Sequence, residues 1–511
     1  MPPPAQPQYP PLTGLTLVVA TISLALATFM NVLDTTIANV SIPAISGNLS
    51  VSPHQGTWVI TSYAVATAIV VPLTGWLAKR FGEVRLFVTC TALFSLTSWM
   101  CGLAPNFSTL VALRALQGAV AGPMIPLSQS LLLRCYPEEK KGMALAFWSM
   151  TTVVAPILGP ILGGYLTDNI GWSWIFYINI PVGILSSYVS YQVLRHREST
   201  KMTLPIDAVG LVLLMVGVGS VQMMFDRGND LDWFDSPYIS ALAVVAAVCL
   251  TLFLAWEYYE KHPVVDLSLF KIRNFTVAVT AISLGYMVFF ATAVLTPLWL
   301  QTQMGYTATW AGLAAAPVGI LTLILTPIVG KNMHRLDPRM LASIGFIVFG
   351  VTCMWQAGFN TDVTFLGVAA PRLFMGIGVS CFFLPITTLS IAGLPPDRIA
   401  SAAGLSNFSR ILAGGFGTSL SVALWDDRIS YHRAMLAENI SVYNPVAAGA
   451  LENMRASGLG AAGSLKMMEM SVVKQAVMLA TNDIFTLGAG FFFLLVFFIW
   501  FAEKPYIPVK K

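Results

Sequence analysis

The sequence predicts an all-α membrane protein of fourteen transmembrane helices, arranged as two pseudo-symmetric six-helix bundles plus two inserted transmembrane helices. Three observations carry this. Of 511 residues, 56% are hydrophobic and only 10% charged, against about 25% charged in a soluble domain. Apolar runs of about 20 residues recur along the chain, and each is long enough at 1.5 Å per residue to cross about 30 Å of hydrocarbon. Two landmark stretches in the first half return, eight runs later, in the second.

The runs fall at 14–42, 57–78, 84–104, 108–133, 143–168, 173–194, 205–225, 238–258, 275–299, 307–330, 340–359, 363–391, 400–424 and 478–502. The first eleven residues are proline-rich and uncharged, and the run after them holds an Asp rather than a small-residue cleavage site, so no removable signal peptide is expected. Lys and Arg set the orientation, because cationic short loops stay on the cytoplasmic side. One set of loops carries Lys79, Arg80 and Arg85, then Arg134, Lys140 and Lys141, then Arg195, Arg197 and Lys201, then Lys261, Lys271 and Arg273, then Lys331, Arg335 and Arg339. The alternating set carries only Arg227 until the segment 425–477, whose length lets it translocate despite five basic residues. Both termini are therefore expected in the cytoplasm, and 425–477 is expected outside as a loop with short amphipathic helices.

The repeat fixes the domain plan. Gly75 precedes Arg80 by five residues after the second run, as Gly330 precedes Arg335 after the tenth. In the fourth run Arg114 precedes Gly118 by four and Pro126 by twelve; in the twelfth Arg372 precedes Gly376 by four and Pro385 by thirteen. The plan is a tail (1–13), an N-terminal bundle (14–200), an inserted helix pair (201–262), a C-terminal bundle (263–502, with the outer segment 425–477) and a tail (503–511), with a substrate path between the bundles.

Several chemistries are excluded. A net charge of +4 is too small to point to nucleic acid. The one Gly-Lys pair, Gly330-Lys331, is followed by Asn332 and has Leu325 where a phosphate loop needs its first Gly, so no ATP site or other cofactor is expected. The six cysteines show no C-x-x-C spacing, the five histidines are read as isolated in or beside loops, and H-E-x-x-H and G-x-S-x-G are absent. No metal site and no enzyme are expected.

Ionisable residues inside a membrane span are costly and by default mark function. Five are read within runs: Asp34, Arg114, Arg372, Arg410 and Asp483. Asp34 and Arg114 lie on antiparallel runs at matching depth, about 9–12 Å below the outer surface, so they can pair, either as a static lock or as a proton site. A buried carboxylate beside a cation lies between opposing desolvation and attraction, which is what a proton site needs. Asn31 and Thr35 sit one turn from Asp34, and Gln117 one turn from Arg114. With Gln129, Trp148, Met287, Phe382 and Asn407 they are the candidate substrate cavity; whether Gln117 and Gln129 touch substrate or only neighbouring helices is open.

The fifth run puts Ala155, Gly159, Gly163 and Thr167 on one small-residue face beside Gly164, while Pro156 and Pro160 remove backbone donors. This gives either close packing or a hinge. The loop from Gly75 through Lys79, Arg80 and Gly82 to Arg85 must turn tightly; its charges are either topology determinants or a latch onto acids such as Glu83, Glu138 and Glu139.

Together these segments resemble the major facilitator superfamily, in its branch of fourteen-helix drug:proton antiporters. Leu33-Asp34-Thr-Thr-Ile-Ala-Asn39-Val-Ser-Ile-Pro43 is similar to that branch's first-helix signature, Gly75 to Arg85 to the loop signature, Arg114-Ala-Leu-Gln117-Gly118 to the fourth-helix signature, and Gly159-Pro160-Ile-Leu-Gly163-Gly164 to the antiporter signature. Lys79 departs from the pattern, standing where the loop signature has an acid. Segments such as Gln55-Gly56-Thr57-Trp58 and Ile125-Pro126-Leu127-Ser128-Gln129 look like the EmrB-type inner-membrane subunits of multidrug efflux systems. The resemblance implies proton-driven export of amphipathic drugs across a bacterial inner membrane, with a periplasmic adaptor protein and an outer-membrane channel as partners. Asp34 would take the proton, with Arg114 as its tuning partner. A dedicated exporter of one metabolite, fatty acid or siderophore is the alternative; a non-transporting scaffold or sensor is a remote one.

Overall fold

A computed structural model describes residues 9–38, 41–51, 53–56, 58–201, 207–228, 231–260, 265–333, 335–438, 440–441, 443–456 and 460–504. Asn39, Thr57, Lys261, the ends 1–8 and 505–511, and the side chain of Pro160 lie outside the described residues. Among those described there is no strand.

The helices in chain order are α1 (Gly14–Ile37), α2 (Trp58–Phe81), α3 (Glu83–Gly102), α4 (Phe107–Cys135), α5 (Lys141–Asn169), α6 (Asn179–Leu194), α7 (Ala208–Gly228), α8 (Pro237–Tyr259), α9 (Arg273–Gln303), α10 (Thr309–Asn332), α11 (Pro338–Ala357), α12 (Phe365–Ile391), α13 (Pro396–Glu438) and α14 (Ala461–Phe498). Among the described residues eleven are long and apolar enough to cross a membrane, and up to twelve if the bent pair Glu138–Pro156 and Ile161–Asn169, which meet at 44° and take in α5, is one span. The other two of the expected fourteen, α6 at 16 residues and the Gly- and Ser-rich α13, fall short of that length or apolarity but are helical and packed in the bundles. Local signals start several helices: the Asn106, Thr307, Asp337 and Thr364 side chains each accept a backbone N–H at the first turn of α4, α10, α11 and α12.

The repeat is structural. A Cβ on Gly118 would lie 2.3 Å from the Tyr63 carbonyl oxygen, and one on Gly376 would lie 2.4 Å from that of Val318. Thr67 donates to the Gly118 carbonyl at 3.0 Å, and Thr322 to that of Gly376 at 3.2 Å. Thus α2–α4 and α10–α12 meet through the same glycine and threonine pair, as the two bundles should if they share one plan.

The bundles touch near the loops rich in Lys and Arg, called the basic face below. There a Cβ on Gly330 of α10 would lie 2.6 Å from the Ala146 Cβ and 2.9 Å from the Gly142 carbonyl oxygen of α5. One on Gly75 of α2 would lie 3.0 Å from the Ser401 Cα of α13. The inserted pair packs Leu214, Val218 and Phe253 against Ala68 of α2, Val279 of α9, and Ala402 and Leu405 of α13, so it contacts both bundles.

Two expectations are corrected. Most of 425–477 is not loop: α13 runs unbroken to Glu438 and α14 begins at Ala461, with one short helix, Pro445–Ala456, between them. Their apolar stretches simply continue as polar helix, a change that hydropathy alone does not mark. The list of buried ionisable groups was also incomplete, since Asp207 and Glu257 are buried at the basic end of the inserted pair. There Asp207 Oδ1 accepts from the Trp256 Nε1–H and the Gly210 N–H.

Candidate functional site

Asp34 and Arg114 meet as their depths predict. Arg114 Nη1 donates to Asp34 Oδ2 at 2.6 Å, and both residues are fully buried. The guanidinium also donates from Nη1 to Gln117 Oε1 (2.8 Å) and from Nε to the Val59 carbonyl of α2 (3.0 Å). It lies 4.3 Å from the Tyr63 ring centroid and 5.4 Å from that of Phe176. Asp34 Oδ1 accepts from Asn179 Nδ2 of α6 (2.8 Å), which also bonds Ser98 Oγ of α3 (3.0 Å), and from Gln117 Nε2 (3.4 Å). One carboxylate therefore ties α1, α3, α4 and α6 together, with α2 joined through Arg114.

Chemically this is a removable charge at the node of a network. Ionised, Asp34 accepts from three side chains. Protonated, it loses its Coulombic hold on Arg114 and gains a donor that its present neighbours do not need.

The structure redistributes the cavity candidates. Gln117 belongs to the ion-pair network, also accepting from Cys101 Sγ at 3.5 Å. Asn31 holds helices together: Nδ2 donates to the Ala121 carbonyl, and Oδ1 accepts from the Tyr63 hydroxyl, each at 2.9 Å. Trp148 is buried with Nε1 donating to Ser128 Oγ, and Gln129 is buried too. Thr35 is half-buried and donates to the Val32 carbonyl. Phe382 packs on Phe346 and Phe349, and Met287 is half-buried with its backbone against Gly417. Trp58 is exposed beneath Arg227, at 4.8 Å.

In the second bundle Asp483 does not oppose Arg372. It accepts from Arg428 Nε at 2.7 Å and contacts His432 Nε2 at 2.8 Å. The reason is the continuation of α13, which carries Arg428 and His432, one turn apart, alongside α14. His432 is accordingly not a loop residue, as the sequence reading had it. Arg372 instead donates to the Thr292 carbonyl at 3.1 Å and to the Thr296 hydroxyl. Arg410 is buried, bonded to Asn407 Oδ1 at 2.5 Å.

At the loop, Gly82 has φ +92° and a Cβ there would lie 2.5 Å from the Glu198 carboxylate. Glu198 accepts the Val84 and Arg85 N–H groups, both at 3.0 Å, and Ser199 Oγ accepts that of Glu83. Glu83 itself takes Arg134 at 2.9 Å, and Glu138 takes Lys141 at 2.6 Å. Lys79 is half-buried, Arg80 lies 5.4 Å from the Trp76 ring and Arg85 is exposed. In α5 the small face packs on the end of α1: a Cβ on Gly159 would lie 2.1 Å from Thr36 Oγ1, and Thr167 Oγ1 bonds Ser41 Oγ at 2.6 Å. Gly163 and Gly164 are buried and Pro156 is half-buried. Sequence reasoning missed Tyr63, Asn179, Ser98 and Glu198; of these only Asn179, an amide inside the sixth run, offered a signal.

Residues 24–418 match the Major Facilitator Superfamily profile. The chain is 51% identical to the multidrug export protein EmrB of Haemophilus influenzae and 49% identical to the fatty acid resistance protein FarB of Neisseria gonorrhoeae, in each case over 98% of both chains. Its fold is similar to the crystal structure of a bacterial homologue of the human lysosomal transporter Spinster in an inward-facing, unoccupied conformation, with 15% identity, 97% of this chain and 100% of that one covered, and a TM-score of 0.53. With its paired bundles and the network around Asp34, the chain belongs to the major facilitator superfamily.

Proposed function

We propose that this protein is a proton-coupled antiporter that exports hydrophobic and amphipathic drugs across the bacterial inner membrane, with the basic face and both termini in the cytoplasm. The observation that carries the reading is the fully buried Asp34 carboxylate, bonded at once to Arg114, Asn179 and Gln117. Proton and substrate compete through this node. When Asp34 faces the more acidic outside it takes a proton, the helices it ties relax, and substrate leaves; when it faces the cytoplasm it returns the proton, re-forms the network and readies the cavity. The glycine contacts between bundles on the basic face act as the gate, and bent α5 as the hinge. One charge crossing 100 mV supplies about 2.3 kcal/mol, roughly fifty-fold in concentration. The proton gradient is thus sufficient without ATP.

The names of the relatives support drug export, and FarB's name supports fatty acids as a second substrate reading. In liposomes with an acidic lumen, the purified protein is expected to accumulate an amphipathic dye, and an ionophore exchanging K⁺ for H⁺ should stop it. Uptake that persists after the pH and electrical gradients are both collapsed overturns the coupling.

The helical extension beyond residue 425 is the proposed contact for a periplasmic adaptor leading to an outer-membrane channel. The stretch 425–438 alone adds about 20 Å of helix to a surface whose other connections are short. Replacing residues 436–466 with a short Gly/Ser linker, which spares the Arg428–Asp483–His432 tie, should abolish resistance in cells and leave substrate binding in detergent intact. Full cellular resistance in that variant removes the docking role.

A further inference from the structure

The second bundle buries a cation with no carboxylate paired to it among the described residues. Arg410 of α13 is 6% exposed, with its guanidinium 4.9 Å from the ring centroid of Tyr286 of α9 and 5.0 Å from that of Phe383 of α12. Among the described residues its hydrogen-bond partner is Asn407, whose Oδ1 accepts from Nη2, and Nε has none. A guanidinium presents five N–H donors in a planar fork that matches a carboxylate. Burying such a charge is expensive unless an anion and further hydrogen bonds come with it. The faces of two aromatic rings offset only part of that cost.

Among the described residues no carboxylate pairs with Arg410. Helices α2, α4, α9, α10 and α12 contain no Asp or Glu, and the nearest acids on α13, Asp397 and Asp426, are thirteen and sixteen residues from Arg410, about 20 Å or more along the helix. Asp34 is held by Arg114. Next to the cation the surroundings are aromatic: Tyr286 stacks on Phe290 with centroids 5.2 Å apart, and Phe289 and Phe382 adjoin them. A fixed, half-satisfied fork beside an aromatic wall is complementary to a molecule with an acidic head and an apolar body.

We propose that Arg410 is the anchor for amphipathic monoanions, binding a carboxylate head through the donors Asn407 leaves free while Tyr286, Phe290 and Phe383 receive the adjoining part of the body. This deepens the transport reading and rests on it. The competing account is a cation–π staple joining α9, α12 and α13. A staple has no reason to distinguish an acid from its ester.

The experiment measures binding of dodecanoate, methyl dodecanoate and dodecylamine to purified full-length protein in a neutral maltoside at pH 7.5. The wild-type protein should bind dodecanoate at least tenfold more tightly than the ester or the amine. Arg410→Gln should lose that preference while keeping its affinity for the ester, and Arg410→Lys, which keeps the charge but not the fork, should retain part of it. Equal wild-type affinity for acid and ester overturns the proposal. So does an Arg410→Gln protein that binds dodecanoate as before, or one that is monodisperse yet loses all three ligands alike. If Arg410→Gln fails to fold, the wild-type preference and the Arg410→Lys variant decide. Binding needs no gradient, so a retained preference for the acid alongside failed uptake in liposomes counts against coupling alone.

Discussion

Asp34→Asn is expected to abolish active efflux, returning drug susceptibility to that of cells lacking the transporter, and to eliminate the proton release that substrate provokes from purified protein. Asparagine keeps the shape and one acceptor for Arg114 Nη1 but cannot exchange a proton, so the network is fixed in one state. It also leaves Arg114 without its counter-charge, and breaking a buried pair from one side costs up to roughly 3–5 kcal/mol. Thermal stability should fall, and stability alone could then explain lost activity. The double variant Asp34→Asn/Arg114→Gln separates the two effects: it removes the uncompensated charge, so melting temperature should recover while uptake in liposomes remains absent. Asp34→Glu should retain part of the activity, since a proton can still be exchanged there. Transport against a gradient by the Asp34→Asn protein would place the coupling elsewhere.

The second large effect is expected from one methyl group. Gly118→Ala puts a Cβ 2.3 Å from the Tyr63 carbonyl oxygen, and the atom it meets is backbone, which has no rotamer by which to retreat. Helices α2 and α4 must separate, losing the Thr67 bond to the Gly118 carbonyl and shifting Tyr63 off Arg114. Overpacking of this kind costs about 1–3 kcal/mol and at times more. Gly376→Ala should cost a similar amount, since its Cβ would meet the Val318 carbonyl at 2.4 Å. Gly490→Ala, where a Cβ meets nothing within 4 Å, should be neutral or slightly stabilising, as helix propensity alone would have it. Melting followed by size-exclusion of the detergent-solubilised variants checks all three. Heat resistance of Gly118→Ala equal to wild type would remove the close-approach argument.

The architecture was legible because a bilayer imposes a one-dimensional rule, that apolar runs of sufficient length alternate with marked loops. The Asp34–Arg114 pair was legible for the same reason: charges within spans are rare, and depth is a count of residues. Rotation about a helix axis is not such a count. Asp483 and Arg372 both lie within runs of the second bundle, yet the continuing turn of α13 presents Arg428 and His432 to Asp483. Asn179, Ser98 and Tyr63 escaped notice because neutral polar groups are common in spans and acquire meaning only through the partners they meet. Glu198 escaped because a loop acid carries no periodic signal; its role exists only where Gly82, with φ +92°, exposes the N–H groups that follow.

The inserted pair has a consequence for molecules dissolved in the bilayer. Because α7, with α8 packed against it, rests on both α2 and α13, one seam between the bundles is curtained from the acyl chains by protein. Along that seam lipid meets the inserted pair rather than the dividing line between the halves, an asymmetry toward the membrane that the internal twofold repeat conceals.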